Sequence, residues 1–139
     1  MACVTIPSIL ITDDDLSFRD TVRQTLEPFG YRLTLAADGE EALSILQNDD
    51  VHLLLLDMHM PKLSGLETVE RALRFKAPLP WILMSARVDE NLLEQARLAH
   101  AFTVLNKPTS RFAITHNVEL ALRQTYNWSP PAQPRIEWR

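Results

Sequence analysis

Cysteine is nearly missing from this chain: Cys3 stands alone, so no internal disulfide can form and nothing speaks for an oxidising compartment. Long apolar runs are missing too. No stretch approaches the roughly 18 apolar residues that a membrane-spanning helix needs, and a membrane role is not expected. The N-terminus, MACVTIPSILITDDD, has no basic leader, is broken by Pro7 and runs into three acids, which is not the pattern of a secretory signal. Basic clusters are absent as well. With a net charge of -4 and its Lys and Arg spread along the chain, the protein lacks the footprint of a direct nucleic-acid binder. The histidines, His52, His59, His100 and His116, show no paired spacing of the kind zinc sites use, and no internal repeat is present. What remains is a cytosolic protein of one domain, since 139 residues are enough to bury roughly two thirds of the unfolded surface in a single core.

The most informative stretch that is present is VHLLLLDMHMP, residues 51–61. Leu53 to Leu56 run straight into Asp57, and Pro61 closes the segment. So short and apolar a run predicts a strand covered on both faces, as in the middle of a parallel sheet. Ile9-Leu10-Ile11 is a second such strand, ending in Asp13, Asp14 and Asp15; Trp81 to Met84 is another, ending at Ser85; Ala101 to Asn106 ends at Lys107. Tyr31 to Ala36 alternates apolar and polar residues and reads as the sheet edge. Between these strands lie amphipathic helices, the first carrying Phe18, Val22, Thr25, Leu26 and Phe29, the last starting near Thr109 or Ser110 and fading near Tyr126. Five strands alternating with five helices predict an α/β fold with a doubly wound parallel sheet of order 2-1-3-4-5. Residues 127–139, NWSPPAQPRIEWR, are proline-rich without period and read as an extended tail outside the domain, with Trp128 and Trp138 as candidate anchors.

In such sheets ligands bind at the carboxyl ends of the strands. Asp13, Asp14, Asp57, Ser85 and Lys107 should therefore converge on one rim. Two carboxylates about 4 Å apart repel by on the order of 4 kcal/mol at an effective dielectric near 20, more than one lysine offsets for three acids. The pocket is formally two charges short of neutral, and hard oxygen donors in that state suit Mg²⁺ or Mn²⁺. A carboxylate beside a divalent cation and a lysine is a good phosphoryl acceptor. Asp57 is the expected nucleophile, Lys107 neutralises the transferring oxygens, the Ser85 hydroxyl hydrogen-bonds one of them, and Ala86 leaves room.

ILITDDD, LLLLDMHMP, LMSA and LNKP, in this order, resemble the receiver domain of two-component response regulators, the CheY-like family. The likeness covers about residues 8–126. No single motif is specific, but the ordered set is. The resemblance implies a flavodoxin-like (βα)5 fold and a signalling phosphoprotein of phosphorelays, not an enzyme beyond its own phosphorylation and dephosphorylation. Asp57 is then the phosphoacceptor, with Asp13, Asp14, Asp57 and the backbone carbonyl of His59 around the metal. Ser85 serves as the hydroxyl switch, and Lys107 contacts the phosphoryl. The donor is a phosphohistidine on a sensor kinase or phosphotransfer protein, chosen through first-helix residues such as Phe18, Arg19 and Val22. The signal leaves through the face of the fourth helix, fifth strand and fifth helix, to a partner or an output domain.

Four positions depart from the family pattern. Val104 stands where an aromatic is usual, and Phe102 would share its face if no bulge intervenes. His100 replaces a common glycine, which would strain a left-handed turn there. His59 and Arg87, each two residues beyond a site residue, are bulky where the family tunes access of hydrolytic water, and a long phosphoryl lifetime is expected. Two other readings stand beside this one: a phosphohydrolase with an aspartyl nucleophile, against which His59 replaces the usual second acid, and a docking module that no longer takes phosphate. A single-domain regulator and the receiver part of a larger protein are both open, as are a monomer and a phosphorylation-dependent dimer.

Overall fold

The computed structural model of the protein describes residues 4–131. Five parallel strands, β1 (Ser8–Thr12), β2 (Arg32–Ala36), β3 (Leu53–Asp57), β4 (Trp81–Ser85) and β5 (Thr103–Asn106), form one sheet in the order β2-β1-β3-β4-β5. Helices α1 (Leu16–Leu26), α2 (Gly39–Asn48), α3 (Gly65–Ala72) and α4 (Glu90–Leu98) make the crossovers, and α5 (Arg111–Tyr126) follows the last strand. The leucine run shows why the sheet needs cover on both sides. Leu54 and Leu56 enter the core beneath α2, α3 and α4, while Leu53 and Leu55 enter the opposite core beneath α1 and α5, and all four are 0% exposed. Each fully buried leucine contributes roughly 1.5–3 kcal/mol. The alternating strand β2 is an edge, as its pattern predicts, and β5 is the other.

Side chains of Asp15, Asp38, Ser64, Asp89 and Ser110 accept hydrogen bonds from the first-turn amides of the five helices in order. Each such cap contributes about 1 kcal/mol. Pro28 and Gly30 end the first helix through a short 3-10 turn, Glu27–Phe29, with Gly30 at φ 81°.

His100 does sit in a left-handed turn, at φ 63°. Its amide and that of Ala101 close α4 on the carbonyls of Arg97 and Ala96, the place where glycine usually stands. This turn also delays β5, which begins at Thr103 and not at Ala101. His100→Gly should raise stability by up to about 1 kcal/mol, the relieved strain less the extra freedom of glycine when unfolded. A lower urea midpoint in the variant would contradict this.

The tail does not leave the domain at once. Asn127, at φ 54°, closes α5, and Trp128 turns back to 7% exposure against Tyr31, ring centroids 5.7 Å apart. Trp128 thus belongs to the α1/α5 core, because a large apolar ring finds there the partner it lacks in water. Residues 132–139, with Trp138, lie outside the described residues. Nearby, the Tyr126 hydroxyl donates to the His52 carbonyl at 2.6 Å. Burial pushes the phenols of Tyr31 and Tyr126 up to about 12, with Glu119 and Asp50 adding repulsion. An unfolded tyrosine ionises near 10. The two phenols therefore stabilise the fold fully below about pH 10, and that contribution is lost as pH rises from about 10 to 12. Absorbance titration should show neither tyrosine ionising near pH 10 while the protein is folded; a midpoint there would refute the assignment.

Candidate functional site

The carboxyl ends of β1 and β3 lie side by side, Thr12 paired with Leu56, so Asp13 and Asp57 emerge as neighbours on the rim. Asp13 is fully buried, Asp57 is 5% exposed and Asp14 faces solvent. One carboxylate oxygen from each of Asp13, Asp14 and Asp57 lies within 4.8 Å of the others. From the end of β5, Lys107 Nζ reaches Asp13 Oδ2 at 2.8 Å and Asp57 Oδ1 at 3.0 Å. The same ammonium lies 4.1 Å from the centre of the Phe18 ring, on the first turns of α1. Arg19 Nη1 donates to the Asp13 carbonyl at 3.4 Å.

Burial raises the Asp57 carboxyl above its ordinary value; the Lys107 hydrogen bond pulls it back, and repulsion from Asp13 and Asp14 pushes it up again. For Lys107 burial lowers the pKa, but hydrogen bonds and charge from Asp13 and Asp57 outweigh it, and the net shift is upward. Three carboxylates around a single ammonium leave the nest short of positive charge. Three hard oxygen donors this close are compatible with a divalent metal ion.

The remaining candidates divide. Ser85 is fully buried at the end of β4, and its hydroxyl is committed to the backbone of Arg87, accepting from N at 3.1 Å and donating to O at 3.2 Å. Ala86 is exposed. His59 and Arg87 are both exposed and together line one shallow cavity of about 200 Å³. Val104 packs into the core beneath α4, whereas Phe102, which precedes β5, packs into the opposite core. Phe102 therefore does not share a face with Val104, because the chain still turns between His100 and the first residue of the strand.

The loop after Asp57 is held by Gly65, whose amide donates to the Met58 carbonyl at 2.9 Å. A Cβ there would lie 2.6 Å from the Asp57 carbonyl oxygen and 3.1 Å from Met58 Cα. Backbone cannot yield as a side chain does, so Gly65→Ala should cost about 1–3 kcal/mol. Equal urea midpoints for variant and wild type would count against this packing.

The contact that residue order left unassigned to the site is Phe18, whose spacing marks it only as a core position of α1 and, by resemblance, a donor-recognition residue. The Asp15 cap fixes where α1 starts, and long helical side chains lean toward the N-terminus. Together these are the signals that bring its ring toward the rim.

Residues 9–119 match the family model described as the response regulator receiver domain. The chain belongs to this family. It is 34% identical over 125 residues to the transcriptional regulatory protein CpxR of Escherichia coli K12, covering 90% of this chain and 53% of that protein. With Response regulator RR06 of Streptococcus pneumoniae it shares 31% over 119 residues, 86% of this chain and 54% of that one. The chain thus spans about half the length of the curated relatives it matches. Among solved structures, a CheY-like receiver domain protein from Methanospirillum hungatei superposes with a TM-score of 0.82 at 26% identity, covering 86% and 96% of the two chains. CheY in the CheX-CheY-BeF3-Mg complex from Borrelia burgdorferi gives 0.79 at 27%, covering 84% and 89%. Receiver domains are signalling modules of two-component systems, working with sensor kinases and output domains. No helix among the described residues of this one is long and apolar enough to cross a membrane.

Proposed function

We propose that this receiver domain takes a phosphoryl group on Asp57 and changes its binding partners when it does. The observation that carries the reading is the buried Asp57 carboxylate, held between Lys107 and two further acids on the sheet rim. An Asp57 oxygen attacks phosphorus; the new O–P bond forms as the bond to the donor breaks, to imidazole nitrogen for a phosphohistidine or to carboxylate oxygen for a small acyl phosphate. Lys107 holds the oxygens that gain charge. Asp13, Asp14, Asp57 and the His59 carbonyl would hold Mg²⁺ or Mn²⁺, which neutralises the acids and the incoming phosphoryl oxygens. The magnesium in the Borrelia CheY complex supports that choice.

Ser85 trades its bond to the Arg87 backbone for one to a phosphoryl oxygen, with Ala86 leaving room for the group. The donor is a sensor histidine kinase or a histidine phosphotransfer protein in the cytoplasm. Output runs through α4, β5 and α5, where Leu93, Leu98 and Phe112 are exposed at 46%, 63% and 72%. Val104 in place of an aromatic makes this output independent of a ring swing, and the bulk of His59 and Arg87 lengthens the phosphoryl lifetime. Treatment with acetyl phosphate and Mg²⁺ should raise the intact mass by one phosphoryl group; no gain would overturn the reading.

A further inference from the structure

We propose that Phe18 is a positioning residue for the phosphoryl-transfer step, its ring forming the third wall of the seat that holds the Lys107 ammonium. The inference rests on the phosphoacceptor reading but concerns a residue that reading does not use. Lys107 hangs on a flexible four-carbon stem with considerable rotamer freedom, and its side chain keeps 17% exposure. Asp13 and Asp57 attract it from two sides, at 2.8 and 3.0 Å. Those two bonds alone would let the ammonium trade places with water once Asp57 becomes phosphorylated and its negative charge moves outward to the phosphoryl oxygens.

Phe18 supplies a partner that no step of the reaction alters. Its ring centre is 4.1 Å from Lys107 Nζ, inside the range of a cation–π attraction, and the negative face of the ring meets the cation. The ring is half-buried and packs against the α1/α5 core, so it does not swing away freely. Its helix is pinned to the site twice: Asp15 caps it, and Arg19 bonds the Asp13 carbonyl. The acids therefore set the charge on Lys107, and the ring sets where that charge sits. Orientation of this kind matters most in the transition state, when the transferring oxygens carry the greatest charge.

The test compares wild type with Phe18→Leu, Phe18→Trp and a protein carrying trifluorophenylalanine at position 18, which keeps the ring shape but drains its face of electron density. The first readout is the initial rate of phosphoryl gain from acetyl phosphate at fixed Mg²⁺. Phe18→Leu should lower it about 2- to 30-fold, the span expected of a cation–π contact in a partly desolvated site. The fluorinated protein should fall in the same direction, and Phe18→Trp should stay close to wild type. A merely structural role would leave the fluorinated protein unaffected. The second readout is the proton NMR shift of the Lys107 ε-methylene, displaced upfield by the ring in wild type and relaxed in Phe18→Leu. Equal rates for the wild-type, leucine and fluorinated proteins overturn the proposal, as does an undisplaced Lys107 signal in wild type. Should wild type take up no phosphoryl at all, the functional reading falls, and the NMR shift alone decides whether the ring seats the lysine.

Discussion

Asp57→Asn should abolish phosphoryl uptake from acetyl phosphate and, in metal-free buffer, leave the domain more stable than wild type. The first effect follows because an amide oxygen is too weak a nucleophile to replace a carboxylate, and Asp14 and Asp13 are not substitutes: both Asp13 oxygens are engaged, Oδ2 by Lys107 and Oδ1 by the Asp15 amide, and Asp14 faces solvent. The second follows from the sign of the Asp57 shift. Its folded-state pKa is raised by burial above the unfolded value, so the folded state holds its proton more tightly. Stability therefore falls as pH rises through the interval from the unfolded to the folded pKa, and at neutral pH the ionised Asp57 is a net cost. The amide removes that cost while Lys107 keeps its 2.8 Å partner, Asp13. Magnesium should reverse the order. At free Mg²⁺ a hundredfold above its dissociation constant the wild type gains about 2.7 kcal/mol, and the variant, one carboxylate short, gains much less. Intact mass and thermal midpoints with and without Mg²⁺ check both halves. A phosphoryl gain that survives the substitution would remove Asp57 from its role, and equal stabilisation of both proteins by Mg²⁺ would remove it from the metal site.

Trp81→Ala should cost about 3–5 kcal/mol, roughly a fifth or more of the about 5–15 kcal/mol that holds a domain of this size. Trp81 is 1% exposed at the start of β4, facing the core beneath α3 and α4. Its indole N–H donates to the Ala99 carbonyl at 3.1 Å, tying the end of α4 to the sheet. Truncation would empty the largest of the fully buried side chains and orphan that carbonyl together. Trp81→Phe separates the two: it keeps most of the volume and loses the hydrogen bond, and should cost about 0.5–1.5 kcal/mol for the bond plus the smaller change in packing. Urea unfolding with unchanged slope is the measurement. A loss below about 1 kcal/mol for the alanine variant would mean that the core closes over the gap.

How far the chain could be read follows from how local each feature is. Four leucines before an acid declare a doubly covered strand, since a period of two has no wet face to reserve. The caps at Asp15, Asp38, Ser64, Asp89 and Ser110 answer to amides two or three residues away, within reach of sequence reasoning. Even the strain at His100 was legible, though only through the resemblance, because the receiver family commonly has a glycine where this chain has His100. Three features were not. Trp128 sits in a segment whose prolines speak for an extended tail, and its burial depends on Tyr31 waiting at the start of β2. Phe102 lies on the opposite side from Val104 because the turn before β5 breaks the alternation. Ser85 marks the end of β4 plainly enough, yet nothing local says that its hydroxyl closes on Arg87.

Residue order alone was enough for the parallel sheet, its polar rim and the identity of the acids there, because periodicity and strand length are properties of a few neighbouring residues. Only folding in three dimensions decided that Lys107, already expected on that rim, would bond Asp13 across 94 positions as well as Asp57, and that the Phe18 ring would be the surface against which it closes. Such contacts depend on strand order, on the twist of the sheet and on the direction of a helix crossing it. Those are set by the packing of the whole core, and no short stretch of chain contains them.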